Sequence, residues 1–506
     1  MSFIFDQNFT KMEAPEFPKF FDWLNTEEEL SLEKLKGHVV VLDFWTYCCI
    51  NCMHALPVLA ELEKKYEGQP VVFIGVHSAK FENEQLTQNI EQAVARYEIH
   101  HPVVTDEEMT IWRSYGVNAW PTIVIVDPKG EIFFRRSGEP QKEILEDVID
   151  TLLEEYDRKG ALAKDPYEIK YKPVEITSTL AFPGKLSISN DGKIALSDSN
   201  HNRILVTDLS GKIEQIIGNG EIGFTDGDFE TATFFRPQGV LWKDGDIFVA
   251  DTENHALRRI DMKNQKVITL IGTGEQGPWI SEGGKGRDVA ISSPWDLASK
   301  DNLIFIAMAG NHQIWVYNVE TEMVRRFAGS GRENIVDGKN LEAQLAQPSG
   351  LSIYGNKLYF ADSEVSAIRE VDLERMQVKT IAGQGLFVFG HQDGPVDQAL
   401  FQHPLGIFAT VNKIYVADTY NSAIRVIDLM TKPKQVSSLI GKPGMKTVCK
   451  VDDPDCDKLG LYEPSDVELF DNMLYITDTN NHLVRVYDLE KNILQTLDIR
   501  EQGKSL

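Results

Sequence analysis

Two kinds of hydrophobic pattern divide the chain near residue 160. Before that point, short apolar runs alternate with stripes of apolar residues at helical spacing. The pattern predicts buried strands at 39–45, 71–74 and 122–126, a hairpin at 127–134, and helices at 53–66, 83–97 and 141–156, the middle helix polar and exposed. Strands separated by helices indicate an α/β sandwich around a central sheet.

A repeated phrase dominates the rest of the chain. It consists of Pro-x-Gly, a strand ending in Ala-Asp, an Asn-His pair and Ile-Arg-x-Ile-Asp, with variations, and it occurs six times. Its central Asp stands at 198, 251, 362, 418 and 478, whereas Met308 holds that place in the third copy. Each copy contains about four short strand patterns, the content of one propeller blade. The sequence therefore predicts a closed six-bladed β-propeller.

These patterns give a multidomain chain of α/β plus all-β class. We expect an α/β domain over residues 1–160 and the propeller over 179–506. Residues 161–178 have the composition of a linker and can also supply a strand that closes the propeller. In that arrangement Tyr171 to Thr179 would share a blade with Ile493 to Ile499.

Three cysteines mark the junction of the first strand and the first helix, at Cys48, Cys49 and Cys52. A Cys-x-x-Cys pair at this junction places the first thiol at a helix N-terminus, where unpaired amides and the helix dipole stabilise its thiolate. The second thiol lies one turn inside the helix and can reach the first to form a disulfide. Asp43 lies inside the apolar strand, which favours a buried proton acceptor over a solvated acid.

This arrangement resembles the thioredoxin superfamily, in particular its redoxin and TlpA-like members, over residues 20–158. The resemblance implies a redox disulfide between Cys49, the nucleophile, and Cys52, the resolving thiol. It also implies that Asp43 is the buried carboxylate that accepts the proton of the resolving thiol. Pro57 matches the position where the helix of the family kinks.

The segment Trp120-Pro121-Thr122 matches the family's substrate-binding segment. The resemblance implies a cis Pro121 that faces the disulfide and leaves backbone groups free to bind an extended substrate. Two departures stand beside the match. Cys48 replaces the usual Trp before the first thiol, which permits an alternative Cys48–Cys52 pairing, and Ile50-Asn51 separates the two thiols.

The repeated phrase resembles the NHL repeat, which forms β-propellers. The two halves together resemble a family, with bacterial members, that joins a redoxin-like domain to an NHL propeller. Positions that recur in every blade cannot all line one site, so we interpret the recurring Asp and Asn-His residues as structural. For the same reason we expect the recurring arginines to form pairs between blades; they are Arg258, Arg369, Arg425 and Arg485.

Composition narrows the classes of partner. Hydrophobic residues make up 42% and charged residues 25% of the chain, as in globular proteins, and the net charge is −26. An acidic chain disfavours phosphate backbones and anionic membrane surfaces, so we expect no nucleic-acid and no membrane partner. We see no basic start followed by an apolar core, and we expect a cytoplasmic protein.

Other chemistry-bearing residues have simpler interpretations. His54 and His77 are expected to pack or lie at the surface. Cys449 and Cys456 form a surface pair of free thiols or a loop disulfide. A zinc site needs two further ligands beside the Cys-x-x-Cys pair, and neither a second Cys pair nor a His cluster lies near in sequence. We therefore expect no metal and no cofactor.

Three functional classes follow from this sequence. The first is a thiol–disulfide oxidoreductase whose partners are protein substrates or a thiol reductant, with a propeller that binds protein or selects substrates. The second is a non-enzymatic interaction scaffold with a vestigial thioredoxin-like domain. The third is a propeller enzyme. Long, dissimilar inter-blade loops are the expected binding region, at 218–236, 272–293, 329–347, 383–403 and 441–463.

Overall fold

The computed structural model describes residues 12–172, 178–443 and 460–500. The chain divides into two compact units, Met1–Ile176 and Thr177–Leu506. The strands of the first unit are β1 Met12–Glu13, β2 Trp23–Thr26, β3 Val39–Trp45, β4 Val71–Ser78, β5 Val103–Asp106, β6 Thr122–Val126, β7 Glu131–Ser137 and β8 Tyr171–Lys172. Its α-helices are α1 Ile50–Lys65, α2 Thr87–Arg96, α3 Thr110–Ser114 and α4 Lys142–Arg158.

The first unit is the predicted α/β sandwich. Its sheet has the order β1-β7-β6-β3-β4-β5-β2-β8. Strand β3 lies in the middle, parallel to β4 and antiparallel to β6, and all seven of its residues are buried. One face packs on α1 and α4 through residues such as Val41, Leu59 and Leu152, and the other face forms a second core. Burial on both faces explains why β3 is a continuous apolar run interrupted by Asp43.

The segment after α4 packs on the first unit and is not a free linker. Ala163 donates its backbone N–H to the carbonyl of Gly37. Strand β8 pairs antiparallel with β2, Asn25 opposite Lys172 and Thr26 opposite Tyr171. The expected pairing of this segment in a propeller blade is therefore wrong for Tyr171 and Lys172, because an open edge of the first sheet binds them instead. Residues 173–177 lie outside the described residues.

The second unit is the predicted six-bladed propeller. Blade 1 is β9 Pro183–Ile188, β10 Lys193–Asp198, β11 Arg203–Asp208 and β12 Ile213–Ile217; blade 2 is β13 Gly227–Asp228, β14 Val240–Lys243, β15 Asp246–Asp251, β16 Ala256–Asp261 and β17 Lys266–Ile271; blade 3 is β18 Gly284–Lys285, β19 Pro294–Lys300, β20 Leu303–Met308, β21 Gln313–Asn318 and β22 Met323–Ala328. Blade 4 is β23 Gly338–Lys339, β24 Pro348–Tyr354, β25 Lys357–Asp362, β26 Ala367–Asp372 and β27 Gln377–Ala382; blade 5 is β28 Gly394–Pro395, β29 Gly406–Ala409, β30 Lys413–Asp418, β31 Ala423–Asp428 and β32 Gln435–Gly441; blade 6 is β33 Asp466–Phe470, β34 Met473–Asp478, β35 Leu483–Asp488 and β36 Ile493–Leu497.

The ring closes where blade 6 meets blade 1. Strand β36 pairs with β35 as the outer strand of blade 6. The chain then reaches blade 1, where Arg500 forms a parallel bridge with Lys212 and its carbonyl accepts a hydrogen bond from the N–H of Ile213. On the inner side, the N–H of Leu186 donates to Asp466 at 3.1 Å. Closure leaves no exposed inner sheet edge between these two blades.

Deleting residues 490–506 is expected to lower the melting temperature of the propeller by roughly 10 °C. The deletion removes β36 with its buried Leu494 and Leu497, and it removes the Arg500 bridge. Burial of two leucines accounts for about 4 kcal/mol, and in a unit of this size each kcal/mol corresponds to about 2 °C. Calorimetry of the full chain and the deletion measures this. Ile493→Ser, at an exposed position of the same strand, serves as control, and an unchanged melting curve in the deletion would contradict closure by this segment.

The recurring arginines bond within a blade, and the expectation of pairs between blades is wrong. In blade 2, Arg258 Nη1 lies 2.7 Å from Asp251 Oδ2, and Nη2 lies 3.0 Å from Asp226 Oδ1. Blades 4 and 5 repeat both contacts, and blade 6 places its Asp and Arg 3.9 Å apart; the residues are Arg369 with Asp362 and Asp337, Arg425 with Asp418 and Asp393, and Arg485 with Asp478. In blades 2, 4 and 5 the arginine thus ties the long loop of its blade to the blade's central strands.

Histidine rings and hydroxyl groups form hydrogen bonds that recur between neighbouring blades. His255 Nδ1 accepts the N–H of Ser293 in blade 3, and His482 Nδ1 accepts the N–H of Phe182 in blade 1, both at 3.0 Å. A hydroxyl after the central Asp donates to the Pro carbonyl of the following blade; the pairs are Ser199 with Pro237, Thr252 with Pro294, Ser363 with Pro404, Thr419 with Pro464 and Thr479 with Pro183. The recurring polar residues are therefore structural, as predicted.

Blade 3 replaces the buried ion pair with an apolar one. Met308 stands in the place of the Asp, and Trp315, seven residues later, stands in the place of the Arg. Both side chains are buried, and Trp315 Nε1 donates to Gln313 Oε1 at 2.9 Å. A packed apolar pair can substitute for a buried ion pair without loss of stability. The departure of the third copy therefore preserves the blade.

A buried lysine joins inner strands around the ring axis. Lys185 of blade 1 donates to the carbonyl of Leu405, at 2.7 Å, from the segment before β29. Its ammonium lies 3.5 Å from Asp296 in blade 3 and 3.7 Å from Asp466 in blade 6. Burial raises the pKa of Asp296 to about 7 although Lys185 counteracts the shift. The lysine compensates two carboxylates that the fold removes from water.

Among residues 12–172, 178–443 and 460–500, no helix is long and apolar enough to span a bilayer. The described helices are instead those of the first unit and short 3-10 turns of the ring.

Candidate functional site

The Cys49 thiol stands at the start of α1, as predicted. Cys49 is the N-cap residue, with φ −82° and ψ 117°, and its carbonyl accepts the N–H groups of Cys52 and Met53. No acidic residue lies in the first turn, so the positive end of the helix dipole acts on the sulfur without a competing carboxylate. Cys49 is half-buried, while Cys52 and Cys48 are buried. Because Cys49 is the most accessible of the three thiols, it is the one that a substrate can reach.

Cys52 lies inside the helix behind Cys49 and is 1% exposed. Burial raises the pKa of the Cys52 thiol well above its ordinary value, and its hydrogen bond with Cys49 and the charge of Asp43 raise it further. The structure holds Cys48, Cys49 and Cys52 as free thiols, which is the dithiol form of the motif. A buried thiol of this kind stays protonated until a nearby base accepts its proton.

Asp43 supplies such a base. It is 2% exposed, lies on β3 opposite Ile123 of β6 and Gly75 of β4, and neither carboxylate oxygen has a hydrogen-bond partner among the described residues. Burial raises the pKa of Asp43 to about 7, partly offset by attraction from His101. A carboxyl that titrates near neutral pH can accept and release a proton under ordinary conditions.

The Trp120–Thr122 segment has the expected form. The Trp120–Pro121 peptide is cis, and Trp120 Nε1 donates to the carbonyl of Ser78 at 3.0 Å. The Thr122 hydroxyl donates to Ala119 at 2.7 Å, and Thr122 pairs with Phe44 on β3, one residue from Asp43. The backbone N–H and carbonyl of Trp120 bond to no group in the described part of the chain. They can therefore pair with an extended peptide.

Glu84 is a site residue that the sequence did not reveal. Residues 82–85 form a 3-10 turn before α2, and Glu84 is fully buried, not part of an exposed polar helix as expected. Its carboxylate accepts three backbone N–H groups, from Cys48 at 3.0 Å, Lys80 at 2.9 Å and Phe81 at 3.0 Å. This clamp holds the loop before Cys49. Glu84 lies 36 residues from Cys48 in the chain, so no sequence spacing connects it with the Cys motif.

The two histidines near the motif have packing roles. His54 lies on α1 with Nδ1 2.6 Å from Glu139 Oε1. His77 is buried between Trp45 and Tyr47, at ring distances of 4.9 Å and 5.4 Å, and burial lowers its pKa to about 3. It stays neutral at physiological pH.

Two further sequence candidates cannot be placed beside the motif. Cys449 and Cys456 lie outside the described residues. Over the three described ranges, no group of three or more His, Cys, Asp or Glu side chains is arranged to hold a metal ion.

We predict that limited iodoacetamide at pH 7 modifies Cys49 well before Cys52 or Cys48. Cys49 is accessible at the helix N-terminus, whereas burial both shields Cys52 and raises its pKa. Tandem mass spectrometry separates the three positions within one peptide. Urea-unfolded protein gives the reference in which the three thiols react alike, and equal labelling in the folded protein would contradict the assignment.

Known proteins match both the first unit and the propeller of this chain. A thioredoxin-like family model matches residues 37–132. The chain is 44% identical over 503 residues to Protein SUPPRESSOR OF QUENCHING 1, chloroplastic, of Arabidopsis thaliana, covering 95% of this chain and 47% of that protein. It therefore spans about half the length of that relative.

Two further relatives cover different portions. NHL repeat-containing protein 2 of Homo sapiens is 40% identical over 525 residues, covering 96% of this chain and 72% of that protein. Thiol-disulfide oxidoreductase ResA of Halalkalibacterium halodurans is 28% identical over 125 residues, covering 25% of this chain and 68% of that protein. The first unit is thus homologous to thiol–disulfide oxidoreductases. With a thioredoxin-like unit followed by a six-bladed propeller along nearly its whole length, the chain belongs to the family of NHL repeat-containing protein 2.

Proposed function

We propose that this protein is a thiol–disulfide oxidoreductase that reduces protein disulfides and whose propeller selects the substrate. One arrangement carries the proposal. An accessible Cys49 stands at a helix N-terminus, a buried Cys52 is hydrogen-bonded to it, and the oxygens of buried Asp43 have no hydrogen-bond partner among the described residues. A structural pair of cysteines needs neither the accessible thiol nor a buried base.

The reaction follows from the three groups. The Cys49 thiolate attacks one sulfur of a substrate disulfide, forms a mixed disulfide and releases the other sulfur as a thiolate, which takes a proton from water. Cys52 gives its proton to Asp43, and its thiolate attacks the Cys49 sulfur. The second substrate sulfur leaves Cys49 as a thiolate and takes a proton from water, so the substrate becomes a dithiol, reduced by two electrons, and Cys49 and Cys52 form the disulfide. A thiol reductant returns the pair to the dithiol.

An insulin-reduction assay with dithiothreitol as electron donor tests the chemistry. We expect Cys49→Ser to abolish turnover above the dithiothreitol background, because no other accessible thiol starts the helix. Cys48→Ser is the matched control, since Cys48 is buried and neighbours the nucleophile; it should retain most activity. Wild-type protein no faster than Cys49→Ser would favour the scaffold function.

Exposed apolar side chains on the inter-blade loops support the proposed role of the propeller. Ile222, Trp279, Ile280, Leu341 and Phe387 are each roughly half exposed or more, and all lie in the predicted binding loops. Each of these loops leads from the outer strand of one blade to the inner strand of the next. Because these loops are equivalent around the ring, they lie on one face of it, and apolar groups there fit the apolar side chains of a protein substrate.

A mixed-disulfide trap tests substrate selection. In a Cys52→Ser background the intermediate on Cys49 persists, because no thiol resolves it. We expect Ile280→Ser with Phe387→Ser to change the set of captured proteins while reduction of a small aromatic disulfide stays normal. Val411→Ser with Met430→Ser is the control, since these residues are equally exposed but lie in hairpin turns on the opposite face. Identical captured sets for all three proteins would contradict selection by this face.

A further inference from the structure

A second polar pair stands behind the dithiol. His101 lies in the segment between α2 and β5 and is buried, and its Nδ1 lies 2.6 Å from Glu63 Oε1 on α1. The Glu63 side chain is 21% exposed. The pair therefore connects a buried imidazole with solvent at the surface of the helix that carries the two thiols.

A missing side chain at Gly75 opens the space beside Asp43. Gly75 pairs in register with Asp43 on the neighbouring strand. A Cβ at Gly75 would lie 3.1 Å from His101 Nε2 and 3.0 Å from Trp45 Nε1, closer than such atoms normally approach. Only glycine lets both ring nitrogens come this near to the strand. The site thus brings the free nitrogen of His101 to the strand position that faces Asp43.

The polar atoms around Gly75 have no other partners. His101 Nε2, Trp45 Nε1 and both carboxylate oxygens of Asp43 are buried and make no hydrogen bond within the described part of the chain. Buried polar atoms without partners are rare in folded proteins and call for an explanation. Their grouping at one place, with a donor-or-acceptor nitrogen beside a carboxylate, indicates a place where a proton is exchanged.

The charges in this region act on one another. Burial alone would lower the pKa of His101, but attraction from Glu63, their hydrogen bond and Asp43 together raise it. His101 in turn opposes the upward shift of the Asp43 pKa, whereas Glu63 adds to it. Shifted titratable groups on the neighbouring elements include Cys52 on α1, neutral His77 on β4, and Tyr171 on β8, whose pKa burial and Glu63 raise.

We infer that His101, oriented by Glu63, is a positioning residue that carries the proton between buried Asp43 and solvent. The inference rests on the proposed oxidoreductase function. After Cys52 has protonated Asp43, that proton passes to Nε2 of His101 in its neutral form, once a turn of the Asp43 side chain or one bridging water brings the two groups within hydrogen-bond reach. The proton on Nδ1 passes at the same time to the Glu63 carboxylate, which releases it to water. Asp43 is ionised again, and no electron moves in this step. When the thiol reductant regenerates the dithiol, the transfers run in reverse: the Nε2 proton returns through Asp43 to Cys52, and Nδ1 regains a proton from water through Glu63.

His101→Gln is expected to slow resolution of the mixed disulfide about tenfold at pH 7 in single-turnover measurements. This is less than the roughly hundredfold or larger effect of losing a general base itself, because Asp43 remains in place. It should also raise the titration midpoint of Asp43 by about one pH unit, because the protonated form of His101, which attracts the Asp43 carboxylate, is lost. Infrared difference spectra against Asp43→Asn report this midpoint directly. Glu63→Gln, which keeps a hydrogen-bond acceptor at a partly exposed position, should also slow resolution, but by less. It should lower the Asp43 midpoint slightly, because the charge of Glu63 raises the Asp43 pKa in the wild type.

His54→Gln is the matched control. His54 lies on α1 itself, and its Nδ1 also pairs with a glutamate, Glu139, at 2.6 Å. It should move neither quantity. An Asp43 midpoint that is the same in wild type and His101→Gln would overturn the inference, as would an unchanged resolution rate. The infrared measurement needs no turnover, so a wild-type protein that reduces no disulfide would overturn the proposed function while the coupling of Asp43 to His101 is still tested.

Discussion

Asp43→Asn should raise the free energy of unfolding of the first unit by about 4 kcal/mol at pH 8. Burial raises the pKa of Asp43 to about 7, from 3.8 for an ordinary aspartate. The folded state therefore keeps its proton at pH values where the unfolded state has lost it. The free-energy cost of the folded charge grows as pH rises from about 4 to about 7 and is complete above 7, at about 1.4 kcal/mol per pKa unit. Asn is neutral at every pH and escapes this cost.

Urea unfolding followed by hydrogen exchange of the β3 amides measures the effect within the first unit. The gain should vanish near pH 4, where Asp43 is protonated in the folded state. Asp147→Asn on the exposed side of α4 is the control and should show no such pH dependence. A stability gain that is equal at pH 4 and pH 8 would show that the carboxylate charge is not its cause. The same variant should resolve mixed disulfides slowly, since it cannot accept the Cys52 proton.

Lys185→Met should destabilise the propeller by about 3 to 5 kcal/mol at pH 8, the range for a buried ion pair that loses one partner. Asp296 and Asp466 would stay buried without the ammonium that lies within 3.5 and 3.7 Å of them. Loss of Lys185 removes an attraction that lowers the Asp296 pKa, so Asp296 of the variant takes up a proton at a higher pH than in the wild type, where its pKa is about 7. The penalty should therefore shrink as pH falls from 8 towards 7 and stay small below 7. Thermal and urea unfolding at pH 5 and pH 8 measure the difference.

Two further variants separate charge from packing at Lys185. Adding Asp296→Asn and Asp466→Asn to Lys185→Met should recover much of the loss, because the unpaired charges are gone. Lys193→Met, at a partly exposed lysine paired with Glu214, should cost about 1 kcal/mol or less. A Lys185→Met protein as stable as wild type at pH 8 would show that the lysine is not needed to compensate the two acids.

Local patterns predicted the parts of this protein that local physics decides. The apolar run at 39–45 and the adjoining Cys-x-x-Cys placed Asp43, Cys49 and Cys52 together, because strand, turn and helix follow directly along the chain. Six copies of one phrase predicted six blades for a similar reason, since each blade is a local meander. The cis Pro121 came from the family resemblance, not from its neighbours in sequence.

The residues that were missed depend on distant neighbours. Glu84 and His101 reach the site only because α2 and its flanking segments fold back on the sheet, so an acid in a polar stretch resembles any surface acid. Tyr171 and Lys172 were assigned to the wrong sheet because a two-residue strand has no periodicity, and the edge of β2 decided where it pairs. The arginines were assigned across blades because the repeat shows that they recur but not the direction of each side chain.

Blade 3 has Met308 and Trp315 where other blades have an aspartate and an arginine, and this replacement constrains how such a ring evolves. An Asp introduced at Met308 would be buried beside Trp315 with no cation, and an Arg introduced at Trp315 would meet a thioether instead of a carboxylate. Either single step passes through a folding defect of several kcal/mol. The two positions are therefore expected to change together in descendants of one gene, so that methionine with tryptophan, or aspartate with arginine, is inherited as a unit. A search for an acid and an arginine seven residues apart would miss two blades of this chain, since Leu205 follows Asp198 at that spacing in blade 1 and Arg203 pairs with the acid instead.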